Sequence, residues 1–325
     1  MKKISIVTPT FNQGQFIEQT IDSVLSQNYP NLEYIIMDGG STDNTLDIIR
    51  KYEKYISYWE STKDNGQSHA INKGLQKSTG EIFNWLNSDD WYAENTLHRV
   101  ASLFEDNTTT AVSGISNIWK QGNIVQQSSG TDVHEILAKT IGGARIDQPE
   151  TFFSRTALQK MGLLNEQLHY VMDREWWIRY LLYFGQNSIQ KTRETWVNFR
   201  IHDESKTHTS QTKFKQETWN LYYSIAVHYQ LKEAAVFEQT FPATTIDLFN
   251  LPEKADMLLV QKSIHYFWYF QGCQCYAQNE YKVAQQFFRL VNPDLLVEKD
   301  KKEMEKIRFK MKMLPVFLKK IWNKR

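Results

Sequence analysis

The chain has 325 residues, of which 41% are hydrophobic and 23% charged, enough for roughly two domains with cores of their own. Thirty-eight Lys and Arg face 37 Asp and Glu, a net charge of +1 that excludes a chain-wide nucleic-acid footprint. No window approaches the ~18 apolar residues of a membrane span. Met1-Lys2-Lys3 has no sustained apolar run behind it, so residues 4–7 read as a first strand, not a signal peptide. Cys273 and Cys275 are one residue apart, a poor spacing for a disulfide or a zinc pair, and read as idle thiols in the reducing cytoplasm. The charge is uneven. Residues 298–325 hold eleven basic and four acidic side chains, leaving 27 basic and 33 acidic in the preceding 297 residues.

In chain order, residues 4–8 (Ile-Ser-Ile-Val-Thr) are a β-rich run that Pro9 is expected to end. Phe16, Ile17, Ile21, Val24 and Leu25 recur at helical spacing and stop before Asn28 and Pro30. Residues 32–37 read as a buried strand ended by Asp38-Gly39-Gly40-Ser41, and residues 43–52 as the next helix. A weaker strand over 56–60 and a helix over 67–77 follow. A strand over 81–86 then runs into Asn87-Ser88-Asp89-Asp90. This alternation predicts an α/β fold, a doubly wound sheet with ligands at the carboxyl ends of its strands. The polar groups collect at those ends, in residues 8–12, 38–41 and 87–90.

The turn after the first strand, Thr8-Pro9-Thr10-Phe11-Asn12-Gln13-Gly14, has neither the G-x-G-x-x-G of a dinucleotide site nor the G-x-x-x-x-G-K-[ST] of a P-loop. Dehydrogenase and NTPase chemistry are thereby disfavoured. Asp89 and Asp90 offer another route to a diphosphate, through a divalent cation that prefers hard oxygen ligands. They also read as caps of a helix beginning near Ala93.

Seven blocks carry a family resemblance: residues 4–12 (ISIVTPTFN), 35–45 (IIMDGGSTDNT), 64–74 (DNGQSHAINKG), 80–92 (GEIFNWLNSDDWY), 148–154 (QPETFFS), 169–179 (HYVMDREWWIR) and 199–207 (FRIHDESKT). In this order, over about residues 1–208, they resemble the inverting GT-A nucleotide-sugar glycosyltransferases of sequence family 2. The resemblance implies a Rossmann-like, mixed and mostly parallel sheet with helices on both faces. Residues 1–92 would be its nucleotide-binding half and 93–208 its acceptor half. It implies a UDP- or dTDP-sugar donor held by Thr8, Pro9, Thr10 and Asn12, by Asp38 and Gly39 at the base, by Asn65, Gly66, Gln67 and Lys73 along ribose and phosphates, and by Asn87, Ser88 and Asp89. Asp38 also reads as a turn residue. The implied cofactor is Mn²⁺ or Mg²⁺ on Asp89, with Asp90 and His202 as further candidate ligands. His202, with Arg200 and Lys206, is alternatively a diphosphate contact or a partly buried strand-end histidine.

By the same resemblance Asp173 is the general base that takes the acceptor's proton, although it also reads as an N-cap. The acceptor side is Gln148, Pro149, Thr151, Glu175 and Trp176, the last either stacking on a sugar or packing in the core. The implied partners are a nucleotide-sugar donor and a saccharide or lipid-linked saccharide of a bacterial surface polysaccharide. Ile71 and Asn87 depart from the family's common A-R-N-x-G and D-S-D-D forms. They motivate the other reading, a catalytically degenerate nucleotide-sugar-binding or scaffold protein.

Beyond residue 208 the pattern becomes helical, in residues 219–229, 255–270 and 280–290. Gly272, Tyr276, Tyr281, Ala284, Phe288 and Pro293 follow the order of one tetratricopeptide-like hairpin within a 209–297 extension. Residues 298–325 form a basic amphipathic tail that reads as an anchor to the inner face of the plasma membrane, or as a charged helix docked on the body.

Overall fold

Ile4, Ile6 and Val7 are fully buried, and β-branched side chains favour the extended backbone of a sheet covered on both faces. In the computed structural model, which describes residues 1–106, 108–202 and 210–313, they form β1 (Ile4–Thr10) of a nine-stranded sheet. Next come α1 (Ile17–Leu25), β2 (Leu32–Asp38), α2 (Thr45–Lys51), β3 (Tyr58–Ser61), α3 (Gln67–Lys77), β4 (Ile82–Trp85), β5 (Trp91–Tyr92) and α4 (Thr96–Leu103). They are followed by β6 (Ala111–Lys120), β7 (Asn123–Gln127), α5 (Leu137–Gly143), β8 (Thr151–Ser154), α6 (Arg155–Met161), α7 (Met172–Phe184) and β9 (Ile189–Ile201). Helices α8 (Gln211–His228), α9 (Glu233–Thr240), α10 (Met257–Ala277), α11 (Tyr281–Leu290) and α12 (Glu298–Met313) complete the chain. Lys206 and the tail beyond Met313 lie outside the described residues.

The strand order is β3-β2-β1-β4-β8-β6-β9-β5, with β7 paired to β6. Strands β3, β2, β1 and β4 are parallel. Beyond them β8 is antiparallel to both β4 and β6, β9 is parallel to β6, and β5 is antiparallel to β9. The doubly wound half is therefore the first 85 residues or so, and the sheet becomes mixed where the chain turns to its second half.

Pro9 does not end β1. The strand runs on to Thr10, with Pro9 opposite Met37. Thr10 O accepts from Gly39 N on the β2 side, whereas Val7 O accepts from Leu86 N on the β4 side. Alternation turns Pro9 toward β4, whose last partner is Trp85 opposite Val7. No ladder bond is due there, so the missing N–H costs nothing. Gly74 lets α3 approach this strand: a Cβ at that position would lie 2.4 Å from Val7 Cγ1.

The chain divides into two compact units, one of Met1–Asp132, Arg145–Thr218 and Asp247–Pro252, the other of Val133–Ala144, Trp219–Ile246 and Glu253–Arg325. The second unit thus takes α5 out of the middle of the α/β region, a division that the chain-order boundary near residue 208 does not follow. Its core is aromatic, with Trp219 packed on Phe237, Phe241, Phe267 and Phe287, and Tyr222 stacked on Phe267 at 4.0 Å. The α10–α11 hairpin closes over Gly272, where a Cβ would come within 2.6 Å of the Phe288 ring. No helix among the described residues is long and apolar enough to cross a membrane.

Candidate active site

The α/β unit contains a cavity of about 860 Å³. Pro9 and Thr10 from the end of β1, Gly66 and Gln67 at the start of α3, and Asn87, Ser88 and Asp89 after β4 line one side. These are the carboxyl ends of parallel strands, where a switch in strand order leaves a crevice. Gln148, Pro149, Asp173 and His202 line the rest, together with Asp64, Glu150, His169 and Tyr170, which lie in the motif blocks without an implied role, and Arg145 and Asp147, which lie outside them.

Gln67 Nε2 donates to Asn87 Oδ1 (2.8 Å), joining α3 to the loop after β4. His202 Nε2 lies 3.0 Å from Asp89 Oδ2. Arg200 holds this pair in place. Its Nε donates to Asp89 O (2.9 Å) and its Nη2 to Gln19 Oε1 (2.5 Å), while the guanidinium sits 4.6 Å from the ring centres of Phe16 and Trp91. Arg200 is therefore committed to orienting Asp89.

Asp90 takes a different place from the one expected of a metal ligand. It is buried, its Oδ1 accepts from Arg200 N (2.9 Å), and burial with the nearby Asp89 charge pushes its carboxyl well up. Neither acid caps α4, which starts at Thr96 after Asn95 in a left-handed conformation. Among the described residues no three His, Cys, Asp or Glu side chains are grouped to hold a metal. Asp89 and His202 bring a carboxylate and an imidazole together on the cavity wall. That donor set fits a cation whose remaining positions are filled by substrate oxygens.

Asp173 sits in the first turn of α7 and faces the cavity. It is not the N-cap. Val171 precedes the helix, and the Glu217 carboxylate of α8 accepts from the N–H groups of His169 (2.9 Å), Tyr170 (2.6 Å) and Val171 (3.0 Å). Asp173 Oδ1 accepts its neighbour's N–H, Arg174 N at 2.7 Å, and burial raises its carboxyl above the ordinary aspartate value. Glu150 is pushed up to about 8 by burial, with the Asp147 charge adding to the effect. Its Oε1 accepts from Ser128 Oγ (3.0 Å).

Several residues expected at the site have partners within the protein. The Asp38 carboxylate is consumed by Gly40 N, Ser41 N, Ser41 Oγ and Ser61 Oγ at 2.5–3.0 Å, which shapes the loop after β2 around Gly39. Its turn-forming role is the one on display. Thr8 is buried against Tyr34 OH (3.1 Å), and Asn12 Oδ1 accepts from Thr42 N (2.8 Å). Asn65 N donates to His69 Nδ1 (3.0 Å). Lys73 is paired with Glu60, whose carboxyl it holds down to about 2, and donates to Thr62 Oγ1, so its charge is spent at the end of β3.

On the acceptor side, Thr151 is buried and donates to Asp147 O (2.8 Å). Glu175 points into the core, where its Oε2 accepts from Arg179 Nη2 (2.7 Å), and burial raises its carboxyl. Trp176 is fully buried against Phe83, Trp85 and Phe153 and donates to Gly162 O (2.9 Å). Helical spacing accounts for both. Asp173 faces the cavity, and residues two and three positions on are turned toward α6 and the sheet.

A mixed sheet with a crevice at the carboxyl ends of its parallel strands, edged by Asp89 and Asp173, defines a GT-A domain. Residues 5–162, just under half of the chain, match the family model described as Glycosyl transferase family 2. It is 26% identical over 226 residues to an uncharacterized glycosyltransferase of Rickettsia typhi, covering 66% of this chain and 68% of that one. It is 33% identical over 133 residues to the poly(ribitol-phosphate) beta-N-acetylglucosaminyltransferase TarP of Staphylococcus aureus, spanning 39% of this chain and 41% of TarP. The crystal structure of S. aureus TarS 1-349 in complex with UDP-GlcNAc shares the fold, with a TM-score of 0.62 at 17% identity over 95% of this chain and 88% of that one.

Proposed function

We propose that this chain is an inverting transferase that moves a hexosyl or related sugar from a UDP- or dTDP-linked donor to a hydroxyl of a saccharide or lipid-linked saccharide in bacterial surface polysaccharide synthesis. The observation that carries this reading is one cavity edged by both the Asp89–His202 pair and Asp173. Asp89 and His202 are the residues to hold a divalent cation, Mn²⁺ or Mg²⁺, which when bound neutralises charge on the departing diphosphate. Asp173 takes the proton of the attacking hydroxyl at a carboxylate oxygen, with the helix start around it braced by Glu217. Residues 9–10 and 66–67 face the nucleotide end, and Gln148 and Pro149 the acceptor end.

TarP is named for N-acetylglucosaminyl transfer and TarS was crystallised with UDP-GlcNAc, so UDP-GlcNAc is the first donor to try. A screen of UDP-, dTDP- and GDP-sugars with Mn²⁺ is expected to show slow donor hydrolysis with one uridine or thymidine donor. Nucleotide binding without turnover on any donor would instead favour the degenerate, scaffold reading.

The location that goes with this reading is the inner face of the plasma membrane. Helix α12 leaves Phe309 and Met313 exposed beside Arg308, Lys310 and Lys312, the composition of an interfacial anchor. The full chain is expected to co-sediment with phosphatidylglycerol vesicles. A chain ending at Met313 and carrying Phe309→Ser and Met313→Ser is expected to stay in solution. Equal sedimentation of the two would reject the anchor.

A further inference from the structure

Asp147 lies on the cavity wall just before Gln148, and its backbone is tied at both ends. Its N–H donates to Thr131 Oγ1 (3.0 Å) and its carbonyl accepts from Thr151 Oγ1 (2.8 Å). Its Oδ1 accepts from Arg145 Nη1 (2.6 Å). Arg145 is itself fixed, with Nε and Nη2 on the two oxygens of Asp132 (2.9 and 2.8 Å) and Nη2 also on Ser129 Oγ (2.7 Å) and Gly130 O (2.5 Å). The nearby Lys191 Nζ donates to Thr131 O. What is left over is Asp147 Oδ2, a buried oxygen with no hydrogen-bond partner among the described residues.

A carboxylate oxygen removed from water and left unpaired is costly. It is tolerated in a functional cavity where a ligand brings the missing donor. We propose that Asp147 is a specificity-determining residue whose Oδ2 accepts a hydrogen bond from a hydroxyl of a sugar bound between Asp89 and Asp173. Only a hydrogen-bond donor satisfies this oxygen, and its negative charge repels a diphosphate. It therefore selects the sugar end of a nucleotide sugar, or the sugar that accepts. The rigid Asp132–Arg145–Asp147 chain sets the oxygen in place before the ligand arrives, so little is lost on ordering it. Asp147 also acts at a distance on the other cavity acids, since its charge helps raise both Glu150 and Asp173.

This inference rests on the glycosyltransferase reading, and the test separates the two. Asp147→Asn keeps the oxygen that Arg145 uses and replaces Oδ2 by a donor. Calorimetric titration with UDP and with UDP-GlcNAc, UDP-glucose and UDP-galactose, in Mn²⁺, measures the donor side; KM for methyl pyranoside acceptors measures the other. If the hydroxyl belongs to the donor, Asp147→Asn weakens the preferred UDP-sugar about 10- to 100-fold and leaves UDP unchanged. If it belongs to the acceptor, donor affinity holds and the acceptor KM rises by a similar factor. No change in either overturns the proposal. Should the variant not fold, monodeoxy sugars on the unaltered protein serve instead: one position is expected to be rejected strongly, and indifference to every deoxy position also overturns it. If the unaltered protein neither binds nor hydrolyses any UDP-sugar, the glycosyltransferase reading itself has failed.

Discussion

Asp173→Asn is expected to lower turnover about 10²- to 10⁴-fold, the span that a positioned general base contributes. Affinity for UDP should stay within about twofold, because the hydrogen bond that Asp173 accepts from Arg174 N stays within the first turn of α7. The substitution is nearly isosteric and leaves the start of α7 intact, since that start is held by Glu217 through three backbone N–H groups. The pH dependence follows from the same environment. Burial raises the Asp173 carboxyl, so the ionised base is depleted as pH falls through that raised value. The acidic limb of kcat should accordingly lie above the ordinary carboxylate range. Steady-state rates from pH 4 to 9, with UDP titrations alongside, check both points. Substantial turnover by Asp173→Asn would remove it from the reaction.

Asp89→Asn is the second large effect. Asp89 supplies the only carboxylate of the two-ligand pair with His202, so its loss is expected to cost about 10²-fold or more in kcat and to raise the Mn²⁺ needed for half-maximal rate. EDTA should silence the unaltered protein and added Mn²⁺ should restore it. Asp90→Asn makes the contrast. Asp90 is buried, its carboxyl is pushed well up, and its one bonded oxygen accepts a backbone N–H. An amide keeps the oxygen that accepts this N–H, and the cost should be far smaller. Equal damage from the two substitutions, or full activity in EDTA, would contradict the assignment of Asp89 to the metal.

Much of the site was legible because its residues follow strands. The polar stretches after β1 and β4 and at the start of α3 reach one crevice, as the β-α-β-α order requires, and those stretches contain Pro9, Thr10, Gly66, Gln67, Asn87 and Asp89. What could not be read was a side chain's private partner. Lys73 and Glu60 meet across two elements, and Asp38 closes on its own loop; neither pairing has a periodicity to reveal it. Glu175 and Trp176 share a motif with Asp173, but a helix turns neighbours to different faces. Asp147 and Glu150 went unnoticed although they bracket Gln148 and Pro149. Only the fold shows that burial raises the carboxyl of one and leaves the other an oxygen with no partner among the described residues. Assignment of residues 133–144 to the helical unit was likewise hidden, because α5 is short and its partner α10 lies more than a hundred residues further on.

The central claim is that the cavity transfers a sugar with inversion, using Asp173 as the base. The most direct measurement is proton NMR of the sugar released or transferred from an α-linked UDP-sugar, read at the anomeric position before mutarotation. The β-anomer from the unaltered protein, formed about 10²- to 10⁴-fold more slowly by Asp173→Asn, is the predicted result. Retention of the α-configuration, or inversion at full rate without Asp173, would contradict the account.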